Sequence, residues 1–263
     1  MDCLPISVVI ATKNAEGTLA ECLDSVQKNN PAEIIVVDGL SGDRTIEVAR
    51  RYTQNIYSDE GKGFNYAQQF GVEQASQEYI ALVDSDIVLP EGTLTKLLTE
   101  LRSSDCVSMA ARILAISLSN YWERAAGFLE SNRTNGGLQA TLLKRDILLK
   151  YKLDVNVKFA SDYDFALRMK REGLKIGSSS AFAYHHNPVS IQSFVKQRVR
   201  FGSEATLYIR AYGPWHITFW PPITRAYWFA LCLVKGKPNY IPYFIVDWAA
   251  QTVGMIKGFY RMI

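Results

Sequence analysis

The chain has 263 residues, 48% of them hydrophobic and 21% charged, with a formal net charge of +3 and a pI near 8.6. That size and apolar content exclude a disordered chain and allow either one large α/β core or two smaller ones, while so mild a basicity gives no ground for a nucleic-acid partner. Four scattered cysteines, Cys3, Cys22, Cys106 and Cys232, form no Cys-x-x-Cys pair and read as reduced core thiols rather than a zinc or dithiol site.

In chain order, the first residues run straight into a strand without the basic and apolar regions of a signal peptide, so residence on the cytosolic side is expected. Ile6 to Ala11 is a continuous apolar run, as a strand buried on both faces requires, and Thr12-Lys13-Asn14 closes it at a place where a nucleotide could sit. Apolar residues at Leu19, Cys22, Leu23 and Val26 predict a helix that stops before Pro31. Glu33 to Val37 predicts a second buried strand, ending in Asp38-Gly39. A turn at Ser41–Thr45, a helix over 46–52, a short strand at 55–57 and a helix through Ala67, Phe70 and Ala75 follow. This alternation predicts an α/β fold, a largely parallel sheet with helices on both faces.

The next strand, Tyr79 to Val83, ends in Asp84-Ser85-Asp86. Ligands of open α/β sheets sit beyond the carboxyl ends of the strands, so these acids are expected to face a crevice. If the strand continued, Asp84 and Asp86 would share a side and could share one cation. Mg²⁺ takes carboxylate and phosphate oxygens together, which makes a nucleotide diphosphate the natural partner. A solvated turn after a buried strand is the alternative for an isolated Asp-x-Asp.

The ordered series Val-Val-Ile-Ala-Thr-Lys-Asn, Ile-Val-Val-Asp-Gly-x-Ser-x-Asp-x-Thr and Leu-Val-Asp-Ser-Asp resembles the family-2 glycosyltransferases with the GT-A fold, over roughly residues 6 to 205. The resemblance implies a mixed, mostly parallel sheet. It also implies that Asp38 contacts the base or ribose, Asp84 the ribose or metal, and Asp86 a Mn²⁺ or Mg²⁺ ion on the sugar-nucleotide diphosphate. Lys62-Gly63 matches a basic residue and glycine that serve the donor. Gln68-Gln69 replaces the family's Arg-Asn, which removes a nucleotide contact expected there. With Thr12, Asn14 and Ser85, these residues make up the donor side. For Asp38 a turn or helix-capping role is the alternative.

Further on, a helix over 93–101 and a strand over 107–111 are predicted, whereas Ile116 to Leu129 gives no clear signal. Asn135 to Arg145 resembles the family's glycine pair and following strand, where bare backbone lets the donor sugar approach; an ordinary Gly-Gly turn is the alternative. Ser161-Asp162-Tyr163-Asp164 opens a helix and resembles the family's Glu-Asp-x-Asp segment, with Ser161 in place of the Glu. By that likeness Asp162 is the general base for the acceptor hydroxyl. A carboxylate at a helix start is favoured as an anion. Asp164 fits better as a capping acid paired with Arg168. His185, ahead of His186, is the expected second metal ligand, and a nitrogen ligand suits Mn²⁺ better than Mg²⁺. Gln197-Arg198-Val199-Arg200-Phe201 resembles the Gln-x-x-Arg-Trp signature. Arg198 and Arg200 are expected on the leaving diphosphate or an anionic acceptor, with a plain basic helix face as the alternative.

After Gly213-Pro214 the composition turns aromatic, apolar and basic, so a catalytic domain over 1–213 and a helical segment over 214–263 are expected. Pro221-Pro222, Arg225, Asp247 and Lys257 interrupt both apolar stretches, which favours lying on the membrane over spanning it. Ala250, Gly254 and Gly258 form a small-residue row suited to close helix contact, and a hairpin folded back on the catalytic domain or a dimer contact is the alternative. The function expected is metal-dependent, inverting transfer of a hexose from a nucleotide-diphosphate sugar to a polyprenyl-phosphate or other lipid-linked glycan acceptor, at the cytoplasmic face of the cell membrane. The rivals are a nucleotidyltransferase, although Ala11 to Gly17 lacks a Gly-rich phosphate loop, and a membrane-bound sugar-nucleotide-binding protein without activity.

Overall fold

A computed structural model of the chain describes residues 3–132, 137–155, 161–213 and 221–260. The first half of the sheet is parallel, as expected: β1 (Leu4–Thr12), β2 (Pro31–Asp38), β3 (Ile56–Ser58) and β4 (Tyr79–Val83) lie in the order β3-β2-β1-β4. Between them run α1 (Leu19–Lys28), α2 (Thr45–Ala49) and α3 (Phe64–Gln74). The strands read as unbroken apolar runs because both faces are covered. On one face Ile6, Val8 and Ile10 pack with Leu19, Cys22, Leu23 and Val26 of α1. On the other, Val9, Val37 and Leu82 pack with Ala67 and Val72 of α3. Each such fully buried Val, Leu or Ile contributes about 1.5–3 kcal/mol.

Beyond β4 the sheet becomes mixed. The remaining elements are β5 (Ile87–Val88), α4 (Thr93–Arg102), β6 (Cys106–Ala115), α5 (Tyr121–Ser131), β7 (Ala140–Lys144), α6 (Arg145–Tyr151), α7 (Ser161–Arg171) and β8 (Lys175–His185). The sheet order continues β4-β7-β6-β8-β5, with β6 parallel to β8 and both β7 and β5 antiparallel to their neighbours. The strand β5 is only two residues long and does not register in the sequence pattern. It matters because it pairs Ile87 with His185. The loop after it is pinned by Asn29, buried at the end of α1, whose amide donates to the carbonyls of Leu89 at 3.3 Å and Pro90 at 3.0 Å and accepts from Leu94 N at 3.0 Å.

The chain divides into two compact units. One is the sheet unit, which runs to Ile116, resumes at Leu129 and again at Ser161, and ends at His186. The other is helical; it takes in Ser117–Phe128 and the chain from Asn187 onward, with α8 (Ile191–Tyr212), α9 (Pro221–Val234) and α10 (Ile241–Tyr260). The division therefore falls near residue 187 and not at 214, because α8 packs along α10. A Cβ at Gly202 would lie 2.0 Å from Gln251 O, and one at Gly254 would lie 2.1 Å from Val199 O. The small-residue row read from the sequence makes the close helix contact it predicted. Among the described residues no helix is long and apolar enough to cross a membrane.

The helical unit is built with an apolar exterior on α10. Its buried side is Tyr243, Phe244, Asp247, Ala250, Gly254 and Gly258, while Ile245, Trp248, Val253, Ile256, Phe259 and Tyr260 are exposed. The buried carboxylate of Asp247 lies 3.2 Å from Arg198 Nε and accepts from Gln251 Nε2 at 2.7 Å.

Candidate active site

The carboxyl ends of β1, β2 and β4 meet where the strand order changes direction, with Thr12 directly opposite Asp38. Thr12 is buried, and its hydroxyl has no partner among the described residues. A buried polar atom left open at a strand end is a group that a ligand can satisfy. The loops after β1 and β2 are stitched together. Asn14 N donates to Ser41 Oγ at 2.8 Å, and its side-chain oxygen accepts from Gly42 N at 2.8 Å. Ala15 N donates to Thr45 Oγ1 at 2.8 Å, and Glu16 N to Asp43 Oδ2 at 3.2 Å. The Asp-Gly-x-Ser-x-Asp-x-Thr series is thus scaffold as much as site. Asp38 itself is buried and held by Ser41, whose N and Oγ donate to its two oxygens at 2.9 and 2.5 Å. It lines an open pocket of about 490 Å³ with Leu40, Tyr57 and Ser58.

At the rim, Lys62 is exposed, with Nζ 2.7 Å from Glu60 Oε2 and 3.3 Å from Tyr66 Oη. Gly63 has φ of 107° and donates to the buried Asp59 at 2.9 Å. Gln69, one of the two departures from the family pattern, accepts from Leu153 N at 2.9 Å and so ties α3 to the loop after α6.

The strand β4 does not continue through the two acids. Ile87 N donates to Asp84 O at 3.0 Å, closing a turn with Ser85 and Asp86 at its centre. The turn hands the chain to β5, whose pairing with β8 brings His185 to Asp86: Asp86 O accepts from His186 N at 2.9 Å, and His185 Nε2 lies 3.4 Å from Asp86 Oδ2. The other ring nitrogen, Nδ1, lies 2.6 Å from Oε1 of Glu130, a buried residue of α5. His186 points elsewhere, with Nε2 2.9 Å from Glu21 Oε2. Of the two histidines, the structure puts His185 beside Asp86.

Electrostatics follow from this crowding. Burial, and then the neighbouring Asp86 carboxylate, push Asp84 well above the usual carboxylate range. Burial alone would lower His185, but its contacts with Asp86 and Glu130 outweigh it and carry the imidazole up to about 10. Such a site, with excess negative charge at a strand end, attracts a cation. Among the described residues no group of three or more His, Cys, Asp and Glu side chains is placed to hold a metal alone. Asp86, with a side chain 39% exposed, and His185 offer one oxygen and one nitrogen. That donor set fits Mn²⁺ or Mg²⁺ when substrate phosphates supply further oxygens.

Asp162 opens α7 and is exposed. It is near enough to Asp84 to raise that group further. Gly137, with φ of +64°, passes so close that a Cβ there would lie 2.8 Å from Asp162 Oδ2. The left-handed backbone there favours glycine, and a side chain would make the Asp162 carboxyl shift. Gly136, the other member of the glycine pair, lies outside the described residues. Gln139 joins the site, its carbonyl accepting from Asp84 N at 3.0 Å. Asp164 is buried and 2.9 Å from Arg168 Nε, the helix pair expected of it.

The arginines are placed differently from expectation. Arg198 is only 16% exposed, lies against Asp247 and sits over the rings of Phe194 and Phe201 at 4.9 and 5.3 Å, all within the helical unit. Arg198 is expected on the leaving diphosphate or an anionic acceptor; in the structure its guanidinium is engaged by the buried Asp247 carboxylate of α10. Arg200 is exposed, with Nε 3.9 Å from Glu204. Glu130 escaped the sequence reading altogether, because it falls at the end of the stretch with no clear periodicity.

The glycosyl transferase family 2 model matches residues 7–170. A low-salt glycan biosynthesis hexosyltransferase of Haloferax volcanii is 34% identical over 114 residues, 41% of this chain but only 27% of that protein. A dolichyl N-acetyl-α-D-glucosaminyl phosphate 3-β-D-2,3-diacetamido-2,3-dideoxy-β-D-glucuronosyltransferase of Methanococcus voltae is 22% identical over 78% of this chain and 74% of its own length. Among solved structures, a mannosyltransferase of Pyrobaculum calidifontis in complex with GDP-mannose and Mn²⁺ matches with a TM-score of 0.67 at 17% identity, over 98% of this chain and 87% of its own. That likeness extends the GT-A type of fold along the chain. With strand-end acids and family match in agreement, the chain belongs to glycosyl transferase family 2.

Proposed function

We propose that the protein transfers a hexose from a nucleotide-diphosphate sugar to a hydroxyl of a lipid-linked acceptor, with inversion at the anomeric carbon and with Mn²⁺ or Mg²⁺ on the donor diphosphate. The observation that carries this reading is the meeting of Asp86, His185 and Asp84 at the strand ends, with Asp162 close by. Thr12 and Asp38 receive the nucleoside, Lys62 and Gly63 flank it, and Asn14 and Ser85 shape the loops around it. Asp86 and His185 hold the ion. When bound, that ion neutralises the diphosphate and makes it a better leaving group. Asp162 takes the proton of the acceptor hydroxyl as its oxygen bonds to the anomeric carbon, and the bond to the diphosphate oxygen breaks. A single displacement with one base inverts the centre. The precedent for a lipid-linked acceptor is the Methanococcus relative, whose name specifies a dolichyl-linked sugar phosphate.

The helical unit supports a membrane-surface role. The outward side of α10 is apolar, the acid of the helix is buried, and Lys235, Lys237 and Lys257 are exposed. An apolar face edged with cations suits an anionic lipid interface, here the cytosolic one. The test is to incubate the full chain with UDP- and GDP-hexoses, Mn²⁺ or Mg²⁺, and either a polyprenyl-phosphate-linked sugar or a soluble oligosaccharide. Release of nucleoside diphosphate that needs both metal and the lipid-linked sugar is the expected result. Nucleotidyl transfer, or binding of the donor without turnover under every condition, would overturn it.

A further inference from the structure

We infer that Glu130 is a positioning residue for the metal site: it fixes the tautomer and ring orientation of His185 so that Nε2 is the nitrogen presented at Asp86. The inference rests on the reading of Asp86 and His185 as metal ligands and goes beyond it, because Glu130 lies on α5, outside every strand-end motif. The geometry is specific. Glu130 is buried, and its Oε1 is 2.6 Å from Nδ1, while Nε2 faces Asp86 Oδ2 at 3.4 Å. A neutral imidazole carries one N–H, and whichever nitrogen donates leaves the other with a free lone pair. Both ring nitrogens face carboxylates, Nδ1 at Glu130 and Nε2 at Asp86; when an ion takes the place of a proton at Nε2, Glu130, which only accepts, keeps the remaining proton on Nδ1 and leaves the lone pair on Nε2. The side chain of His185 is 12% exposed, which leaves water little access to compete for Nδ1. A carboxylate behind a ligating histidine also raises the basicity of the ligand and fixes the orientation of its ring.

The test compares wild type with Glu130→Leu and Glu130→Gln. Mn²⁺ binding is titrated in the presence of UDP and, separately, GDP; ¹⁵N spectra of His185 are recorded for the metal-free protein and with Mg²⁺ and nucleotide. Glu130→Leu is expected to weaken nucleotide-dependent Mn²⁺ binding by about 10–100-fold. Glu130→Gln, whose side-chain oxygen still accepts from Nδ1–H, is expected to recover most of that loss. The spectra of wild type should show a protected proton on Nδ1, lost in Glu130→Leu, with an unprotonated Nε2 once Mg²⁺ and nucleotide are bound. Unchanged Mn²⁺ binding in a folded Glu130→Leu protein, or the absence of a protected proton on Nδ1 of wild type, would overturn the role of Glu130. Wild type that binds nucleotide equally with and without metal would instead overturn the ligand assignment, and the metal-free Nδ1 proton signal would then decide Glu130 by itself.

Discussion

Two acid–base contacts, one in each unit, show how differently this chain uses a carboxylate set in an apolar run. In the sheet unit Asp86 follows a buried strand, remains 39% exposed and lies a loose 3.4 Å from His185. In the helical unit Asp247 sits mid-helix, is 3% exposed and is closed in by Arg198 and Gln251. The first contact leaves lone pairs facing outward; the second encloses its charge. A buried pair does not make a fold more stable than apolar residues would, but removing one partner leaves a stranded charge. For these two acids, what separates one open to a ligand from one committed to packing is whether partners enclose the carboxylate on every side.

The largest effect is expected at Asp247. Replacing it with alanine strands Arg198 and is expected to cost about 3–5 kcal/mol of stability, seen as a lower melting temperature, with nucleotide affinity unchanged in the folded fraction. Loss of donor binding without loss of stability would return Arg198 to the donor site. Asp162→Asn should behave in the opposite way. Turnover is expected to fall by a factor on the order of a hundred or more, with donor affinity and melting temperature preserved. If affinity falls and the rate survives, the base lies elsewhere.

A packing change sharpens the contrast. Gly254→Ala puts a methyl group against the Val199 carbonyl, only 2.1 Å from the position of the new Cβ, and is expected to destabilise by about 1–3 kcal/mol without changing metal-dependent binding. The smallest effect expected is a pH dependence at Glu123. Its carboxylate caps the start of α5, accepting from Ser119 N at 2.9 Å and Ser119 Oγ at 2.6 Å, and the Ser119 hydrogen bond chiefly holds it below its ordinary value of 4.5. A depressed folded pKa means that this contribution is complete above 4.5 and disappears as the pH falls through the lower folded value. Glu123→Gln should therefore cost about 1 kcal/mol at neutral pH and nothing at the acid end, measured by denaturant melts across pH.

The parallel half of the sheet was legible in the sequence because each strand is buried on both faces and ends in a polar turn; Val36-Val37-Asp38 and Leu82-Val83-Asp84 announce themselves. Its mixed half was harder to read. The strand β5 is too short to carry a period, yet it is what delivers His185 to Asp86. Glu130 was invisible because its partner lies 55 positions away in sequence. Arg198 lies inside a motif whose matching arginine is Arg200, and the acid that Arg198 contacts, Asp247, is in a segment expected to be an anchor, so only packing brings the two together. For Asp164 the i, i+4 spacing to Arg168 was sufficient, since a helix fixes that contact locally.

The central claim is that Asp86, with His185, holds the ion that binds the donor diphosphate, and its most direct measurement is calorimetric titration of wild type and Asp86→Asn with UDP and GDP, with and without Mn²⁺. Mn²⁺ is expected to strengthen binding of the matching nucleotide to wild type and to have no effect on a folded Asp86→Asn protein. Equal Mn²⁺ enhancement in both proteins would contradict it.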